Sequence, residues 1–298
     1  MIDSPGHFVW YELITTERDA AKVFYAHVLG WETGEVSTPS RTYTLFSVGD
    51  TPVSGLMKLP EDARRMGAKP QWIGYVGVDD VDAAIDLFQR LGGAVHVPPT
   101  DIPNVGRFSI VADPQMATLA LLELLQTDQE RHVASDTPGR VGWHELLAAN
   151  WTEALAFYCE VFGWRKAEVN VGAWGMYQRF SVGGQTIGGM VTKPPKVSVP
   201  FWLYYFNIGD IDAVAKRVKT GGGQILYGPV EVPDGSWIAH CTDPQGAIFA
   251  LVGKRRYKAM VFFEPWRDAL PGESSPSSKK FHIKPRCASG FVPRPIAN

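Results

Sequence analysis

Two glutamates in matching sequence surroundings are candidates for ligand binding or proton transfer. Glu12 lies in a Trp-Tyr-Glu-Leu run that starts at Trp10, and Glu145 lies in a Trp-His-Glu-Leu run that starts at Trp143. Side chains two positions apart on a strand point to the same face, so each glutamate shares a face with a tryptophan. A carboxyl group beside an aromatic wall can bind a ligand or move a proton, and we predict Glu12 and Glu145 as acid-base candidates.

The same Trp-Glu pairs also have a purely structural interpretation. A buried carboxyl group without partners is costly, so it is hydrogen-bonded, protonated with a raised pKa, or held ready for a ligand. A glutamate bonded to backbone or tyrosine in a closed interior, with the tryptophan filling volume, would have no function. The sequence leaves both interpretations open.

An internal repeat organises the chain up to about residue 253. The Trp-x-Glu-Leu run and the pair Phe24-Tyr25 recur 133 positions later, and Asp113-Pro114-Gln115 recurs 130 positions later. Many matches in one order indicate two homologous domains. The predicted parts are a first domain at 5–126, a linker at 127–140, a second domain at 141–253 and a basic tail containing Pro and Ser at 254–298, which we expect to be disordered.

Hydrophobic periodicity predicts the elements of each domain. Phe8 to Ile14 alternates as a strand does, and a helical apolar stripe from Ala21 to Val28 ends at Gly30. Three strand-like segments follow, and the order strand, helix and three strands then repeats. Each domain is therefore predicted to contain two βαβββ units, which gives an α+β fold.

Four kinds of segment mark the domains, namely Ala21-x-x-Phe24-Tyr25-x-x-x-Leu29-Gly30-Trp31, its copy from Ala154 to Trp164, Val78-Asp79-Asp80-Val81-Asp82 and the two Asp-Pro-Gln turns. Together with the βαβββ units, they resemble the vicinal oxygen chelate superfamily, which includes glyoxalases, extradiol dioxygenases and bleomycin resistance proteins. The resemblance implies tandem domains in which four βαβββ units form curled, cup-shaped mixed sheets with helices outside. The Trp-x-Glu-Leu openings resemble a tandem group described as hydroxylase-like or glyoxalase-like.

The resemblance also implies where a metal would be bound. Metal-dependent members use His, Gln or Glu on the first, fourth, fifth and eighth strands of the cup. Fourth-strand segments 53–57 and 187–191 contain no acid or imidazole, and the other aligned positions hold Trp10, Trp143, Ile73, Leu203, Ala120 and Ala250. Because none of these side chains is a metal ligand, we expect neither a metal nor another cofactor.

The favoured hypothesis is a protein that binds a small organic molecule in an aromatic, acid-bearing cup without the usual metal. His240 stands out because its counterpart is Ile110, whereas His144 is expected to face the helix layer. One alternative is a metal-dependent lyase, isomerase or dioxygenase using Glu12, Glu145, His240 or His7, and another is a non-enzymatic scaffold. The candidate ligand-binding residues are Trp10, Trp143, Trp72, Trp202, Tyr75, Tyr205 and His240.

Composition and charge exclude several other classes. The chain is 45% hydrophobic with no long apolar run, which predicts a soluble cytoplasmic protein without a membrane partner. Its three cysteines are widely separated and form no disulfide framework. Residues 1–253 are acidic, with a net charge of about −9, which argues against a nucleic-acid partner. We expect a monomer or homodimer.

Overall fold

The computed structural model describes residues 5–37, 42–125, 136–172 and 175–256. Most of the predicted linker, and all of the tail beyond residue 256, lie outside the described residues. Within the described ranges, no helix combines the length and the hydrophobicity that a membrane-spanning segment requires. The domain boundaries, the oligomeric state and the cytoplasmic location stay predictions.

The first repeat forms one mixed sheet of eight strands in the order β2-β3-β4-β1-β5-β8-β7-β6. The central strands β1 and β5 are antiparallel, and each has a parallel neighbour from its own unit. The elements are β1 (Phe8–Thr15), α1 (Arg18–Leu29), β2 (Glu32–Ser37), β3 (Thr42–Val48), β4 (Thr51–Lys58), α2 (Glu61–Arg65), β5 (Gln71–Gly77), α3 (Val81–Arg90), β6 (Ala94–Ile102), β7 (Gly106–Ala112) and β8 (Thr118–Leu124).

The second repeat forms an equivalent sheet in the order β10-β11-β12-β9-β13-β16-β15-β14. The predicted α+β class and its four βαβββ units are therefore confirmed. The elements are β9 (Val141–Ala148), α4 (Trp151–Phe162), β10 (Arg165–Gly172), β11 (Gly175–Val182), β12 (Gln185–Thr192), β13 (Phe201–Asp210), α5 (Ile211–Thr220), β14 (Gln224–Glu231), β15 (Trp237–Thr242) and β16 (Ile248–Lys254).

The helix boundaries follow from local sequence. The Asp80 side chain accepts a hydrogen bond from the Ala83 amide at 2.9 Å and so caps the start of α3. Helices α1 and α4 end at Gly30 and Gly163, whose φ angles of 74° and 68° lie in the left-handed region that glycine adopts without strain.

One large core joins the two repeats, and Tyr25 of α1 lies within it. The Trp72 indole donates a hydrogen bond to the Tyr25 hydroxyl at 2.9 Å, and this hydroxyl donates to Oδ2 of Asp243 at 3.2 Å. Asp243 belongs to the second Asp-Pro-Gln turn. The Phe-Tyr motif of one repeat therefore contacts the Asp-Pro-Gln motif of the other.

The same contact exists with the repeats exchanged. Trp202 donates to the Tyr158 hydroxyl at 3.1 Å, and Tyr158 donates to Oδ2 of Asp113 at 3.1 Å. This arrangement corrects the prediction that Trp72 and Trp202 are pocket walls. Both are 4% exposed and lie in the shared core, on the sheet faces opposite the cups.

His144 lies in this shared core, and its orientation confirms the prediction that it faces away from the cup. Its Nε2 is 2.6 Å from the Tyr11 hydroxyl, its Nδ1 is 2.6 Å from the Ile187 carbonyl, and its ring stacks on Phe8. Burial lowers the pKa of His144 to about 4, so the imidazole is neutral at pH 7.

Candidate functional site

Strand register places five side chains in one row across the second sheet. Trp143 of β9 pairs with Tyr205 of β13, which pairs with Ala250 of β16, then His240 of β15 and Tyr227 of β14. Paired residues on neighbouring strands share a face, so these side chains line the same cup. Because Ala250 is small, the Tyr205 hydroxyl and His240 Nε2 meet across it at 2.8 Å.

A second row lies two residues further along β9. Arg179 of β11 pairs with Gly189 of β12, which pairs with Glu145 of β9 and then Leu203 of β13. A Cβ atom on Gly189 would lie 2.2 Å from Cε1 of Tyr177, so this glycine makes room for the tyrosine ring. Tyr177 therefore lies over Gly189, between the strands that carry Arg179 and Glu145.

Side chains from the two rows line a cavity of about 540 Å³. This volume is within the range of roughly 300–1,000 Å³ that small-molecule sites occupy. The predicted residues Trp143, Glu145, Tyr205 and His240 are brought together in its wall. The full lining is Gly142, Trp143, Glu145, Asn170, Gly175, Tyr177, Arg179, Val191, Tyr205, Asn207, Tyr227, Val230, Glu231, Val232, Pro233, Asp234, Ile238, His240 and Val252.

Glu145 is the buried acid of this cavity and is 5% exposed. Its Oε2 accepts a hydrogen bond from the Tyr205 hydroxyl at 3.1 Å, whereas its buried Oε1 has no hydrogen-bond partner among the described residues. Burial raises the pKa of Glu145 to about 7, although hydrogen bonding by Tyr177 and Tyr205 opposes part of this rise. The carboxyl group therefore exists in both protonation states near neutral pH.

Tyr205 connects Glu145 to His240. Burial lowers the pKa of His240 to about 4, so its imidazole is neutral at pH 7. A phenol has one proton, so Tyr205 either donates to Glu145 and accepts from His240, or donates to His240. The three groups can therefore exchange hydrogen-bond direction when the protonation of Glu145 changes.

The first cup keeps the acid and its tyrosines. Tyr75 donates to Oε2 of Glu12 at 2.7 Å, and the Trp10 indole donates to the Tyr43 hydroxyl at 3.2 Å. Glu12 is 4% exposed. Phe108 packs against Tyr75, with ring centroids 6.3 Å apart. This arrangement corresponds to the structural interpretation of a Trp-Glu pair.

The cups differ at positions where the second has polar side chains and the first does not. Sequence reasoning found His240 from this signal, but it missed Arg179 and Tyr227, which a full comparison of the repeats would have found. Tyr43 and Tyr177 were also missed, because a length difference shifts their offset to 134. The differing pairs are Leu45 and Arg179, Ile110 and His240, Val97 and Tyr227, Val36 and Asn170, and Gly77 and Asn207.

The cup residues do not fit the metal ligand set of the family. Glu145 and His240 are its only buried acid and imidazole among the described residues, and the Tyr205 hydroxyl lies between them. No group of three His, Cys, Asp or Glu side chains in the described ranges could hold a metal ion. Of the alternative ligands, Glu12 lies in the other cup, and His7 is not part of this cavity lining.

Comparison with known families gives a match over most of the chain. The sequence model of the family described as the glyoxalase/bleomycin resistance protein/dioxygenase superfamily matches residues 6–121 and 140–251. Its two matches correspond to the two repeats.

Two relatives cover most of the chain. "Putative glyoxylase CFP32" of Mycobacterium tuberculosis (strain CDC 1551 / Oshkosh) is 33% identical over 249 residues, which are 82% of this chain and 93% of the relative. "Anthracycline biosynthesis protein DauV" of Streptomyces sp. (strain C5) is 28% identical over 270 residues, or 85% and 94% of the two chains.

Solved structures share the fold at low sequence identity. The Mn(II)-bound glyoxalase from Novosphingobium aromaticivorans has a TM-score of 0.59 at 17% identity, over 85% of this chain and 83% of its own. A trihydroxybiphenyl dioxygenase from Sphingomonas wittichii strain RW1 has a TM-score of 0.60 at 12% identity, over 84% and 91%. At these identities the similarity concerns the fold alone.

Proposed function

Because this chain belongs to the glyoxalase/bleomycin resistance protein/dioxygenase superfamily, we propose that its second domain binds a small organic molecule without a metal ion. Glu145 is the central polar group of this site. Trp143, Tyr205 and His240 form its wall together with Tyr177. The first cup, with Glu12, is structural in this proposal.

One observation carries the proposal, namely the unpartnered Oε1 of Glu145. A buried acceptor without a hydrogen bond costs about 1–3 kcal/mol, and native structures rarely leave such a group without a reason. Glu145 lines a cavity large enough for a ligand. A hydroxyl or N–H group of a ligand that reaches Oε1 would remove the cost.

The pKa of Glu145 also supports a role in proton transfer. A general acid or base works best when its pKa is near the working pH, and burial raises that of Glu145 to about 7. Tyr205 and His240 can adjust their hydrogen bonds as the proton leaves or returns. The site is therefore suited to binding an acidic hydroxyl and to accepting its proton.

The relatives are compatible with this site. One is named as a glyoxylase and the other as an anthracycline biosynthesis protein, and both names refer to the chemistry of small organic molecules. A protein that only formed a scaffold would have no need for a buried acid with one unpartnered oxygen in a cavity.

Binding of β-naphthol, an aromatic hydroxyl compound, tests the proposal by isothermal titration calorimetry. Glu145→Gln keeps the shape of the side chain and removes its charge. We expect affinity to fall roughly 10- to 150-fold, which corresponds to the loss of about 1.5–3 kcal/mol from a charge-assisted hydrogen bond.

The matched control is Glu12→Gln, which makes the same change in the other cup and should leave β-naphthol binding unchanged. Circular dichroism checks that both variants fold. Unchanged binding by Glu145→Gln, or equal losses in the two variants, would contradict the proposal.

A further inference from the structure

Two unpartnered polar atoms lie on one row of the second sheet. One is Oε1 of Glu145, and the other is Nε of Arg179, which is also buried and has no hydrogen-bond partner among the described residues. Both residues line the cavity, and both pair with Gly189, one on each side of it. One atom is an acceptor and the other is a donor.

The spacing of these residues suits the two ends of one molecule. Glu145 and Arg179 are separated by two strand spacings, which amounts to about 10 Å between their backbones. Gly189 contributes no side chain between them, and Tyr177 lies over it. The route from one polar atom to the other therefore follows the face of an aromatic ring.

The charge of Arg179 is poorly matched within the protein. Its closest acid is Glu168 at 3.8 Å, and the Glu168 side chain is 82% exposed, so this ion pair is weak. The guanidinium lies over the Trp143 ring at 5.6 Å from the centroid. Arg179 is 27% exposed, which leaves it able to make stronger, less screened contacts with a ligand than a surface arginine can.

From these contacts, and resting on the proposed function, we infer that the site takes a planar aromatic molecule with a hydroxyl group at one end and a carboxylate at the other. The hydroxyl donates to Oε1 of Glu145, and the carboxylate accepts from Arg179. Trp143, Tyr177 and Tyr205 contact the ring faces. The first cup has no equivalent group to bind the ligand carboxylate, because Leu45 occupies the position of Arg179.

A cationic ligand is the competing possibility, since Glu231 and Asp234 also line the cavity. Both acids are exposed, and the Asp234 carboxylate already accepts a hydrogen bond from the Ser236 amide at 2.9 Å. Exposed charges are screened by water and salt, whereas the Arg179 side chain is only 27% exposed and is screened less. The arrangement therefore favours an anion over a cation.

Four matched probes test this inference by isothermal titration calorimetry. The full probe is the hydroxynaphthoate whose hydroxyl and carboxylate lie at opposite ends of the two rings. β-Naphthol lacks the carboxylate, β-naphthoate lacks the hydroxyl, and the corresponding hydroxynaphthylmethylammonium ion carries a positive charge. We expect the full probe to bind at least about tenfold more tightly than each of the others.

The variant Arg179→Gln should remove the advantage of hydroxynaphthoate over β-naphthol. Arg179→Lys should keep part of that advantage, because charge remains while the fork of donors is lost. The matched control is Arg65→Gln, which removes an arginine that is 71% exposed and lies outside the cavity lining. It should change nothing.

Two outcomes separate this inference from the proposal on which it rests. Glu145-dependent binding of β-naphthol, with no gain from the carboxylate or with tighter binding of the cation, would overturn only the inference. Failure of all four probes to bind the wild-type protein would overturn both.

Discussion

The hydroxyl of Tyr205 lies 2.8 Å from Nε2 of His240 and 3.1 Å from Oε2 of Glu145. In the first cup, Tyr75 makes the equivalent bond to Glu12, but Ile110 occupies the position of His240. Both cups thus contain the same acid-tyrosine pair, and only the second extends it with a polar side chain.

Tyr205→Phe should raise the pKa of Glu145 above its value of about 7. The tyrosine stabilises the carboxylate by donating to it, so its removal favours the protonated acid. A net hydrogen bond of about 0.5–1.5 kcal/mol corresponds to a rise of roughly half to one pH unit. Infrared titration of the carboxyl stretch measures the pKa of Glu145 in both proteins, and Glu145→Gln identifies the band. A fall in the pKa would contradict this account.

The stability of the protein should depend on the protonation of Glu145. Its folded pKa of about 7 lies above the ordinary glutamate pKa of 4.5. The folded state therefore holds this proton more tightly, and stability declines as pH rises through this window. Relative to Glu145→Gln, the wild-type free energy of unfolding should fall by about 3 kcal/mol between pH 4 and pH 8. Urea denaturation of both proteins across that range tests this, and a constant difference would contradict it.

Tyr25→Phe should weaken the joint between the repeats. The change removes one hydroxyl that accepts from Trp72 and donates to Asp243, leaving two buried groups short of a bond. We expect a loss of about 1–3 kcal/mol in urea denaturation. Tyr158→Phe removes the equivalent hydroxyl in the second repeat and should lower the free energy of unfolding by a similar amount. A loss below about 0.5 kcal/mol in both would show that these contacts do not stabilise the joint.

Gly189→Ala should displace the Tyr177 ring and so change the shape of the binding site. The new methyl group would lie 2.2 Å from Cε1 of Tyr177 and force that ring to move from its position between Glu145 and Arg179. We expect weaker β-naphthol binding and about 1–3 kcal/mol of lost stability. Gly209→Ala is the control, since its Cβ would meet nothing within 4 Å. Equal behaviour of the two variants would contradict the assigned role of Gly189.

Strand parity accounts for what could be predicted of the site, and cross-strand register for what could not. Glu145 and Trp143 are two positions apart on one strand, so their shared face follows from sequence. Trp72 and Tyr75 are three apart, so they lie on opposite faces, and placing both in the pocket was wrong for Trp72. Arg179 lies on β11, and its alignment with Glu145 on β9 depends on the registers of β11 with β12 and of β12 with β9. Packing across the sheet sets these registers.

The repeat motifs predicted the fold because they form the joint between the domains. The Phe-Tyr and Asp-Pro-Gln residues contact one another across the repeats, as Tyr25 and Asp243 do. Matching surfaces must be retained on both sides of such a joint. The walls of the two cups do not contact one another in this way, so their residues can differ. Leu45 of the first cup and Arg179 of the second occupy equivalent positions and are an example.

Metal dependence of β-naphthol binding shows whether the second cup binds its ligand without a metal ion. Calorimetric titrations would compare protein treated with a chelator, the same protein supplied with Mn(II), and Glu145→Gln treated with a chelator. We expect equal affinity in the first two and an affinity at least about tenfold lower in the third. Binding that requires Mn(II) and is lost on chelation would contradict it.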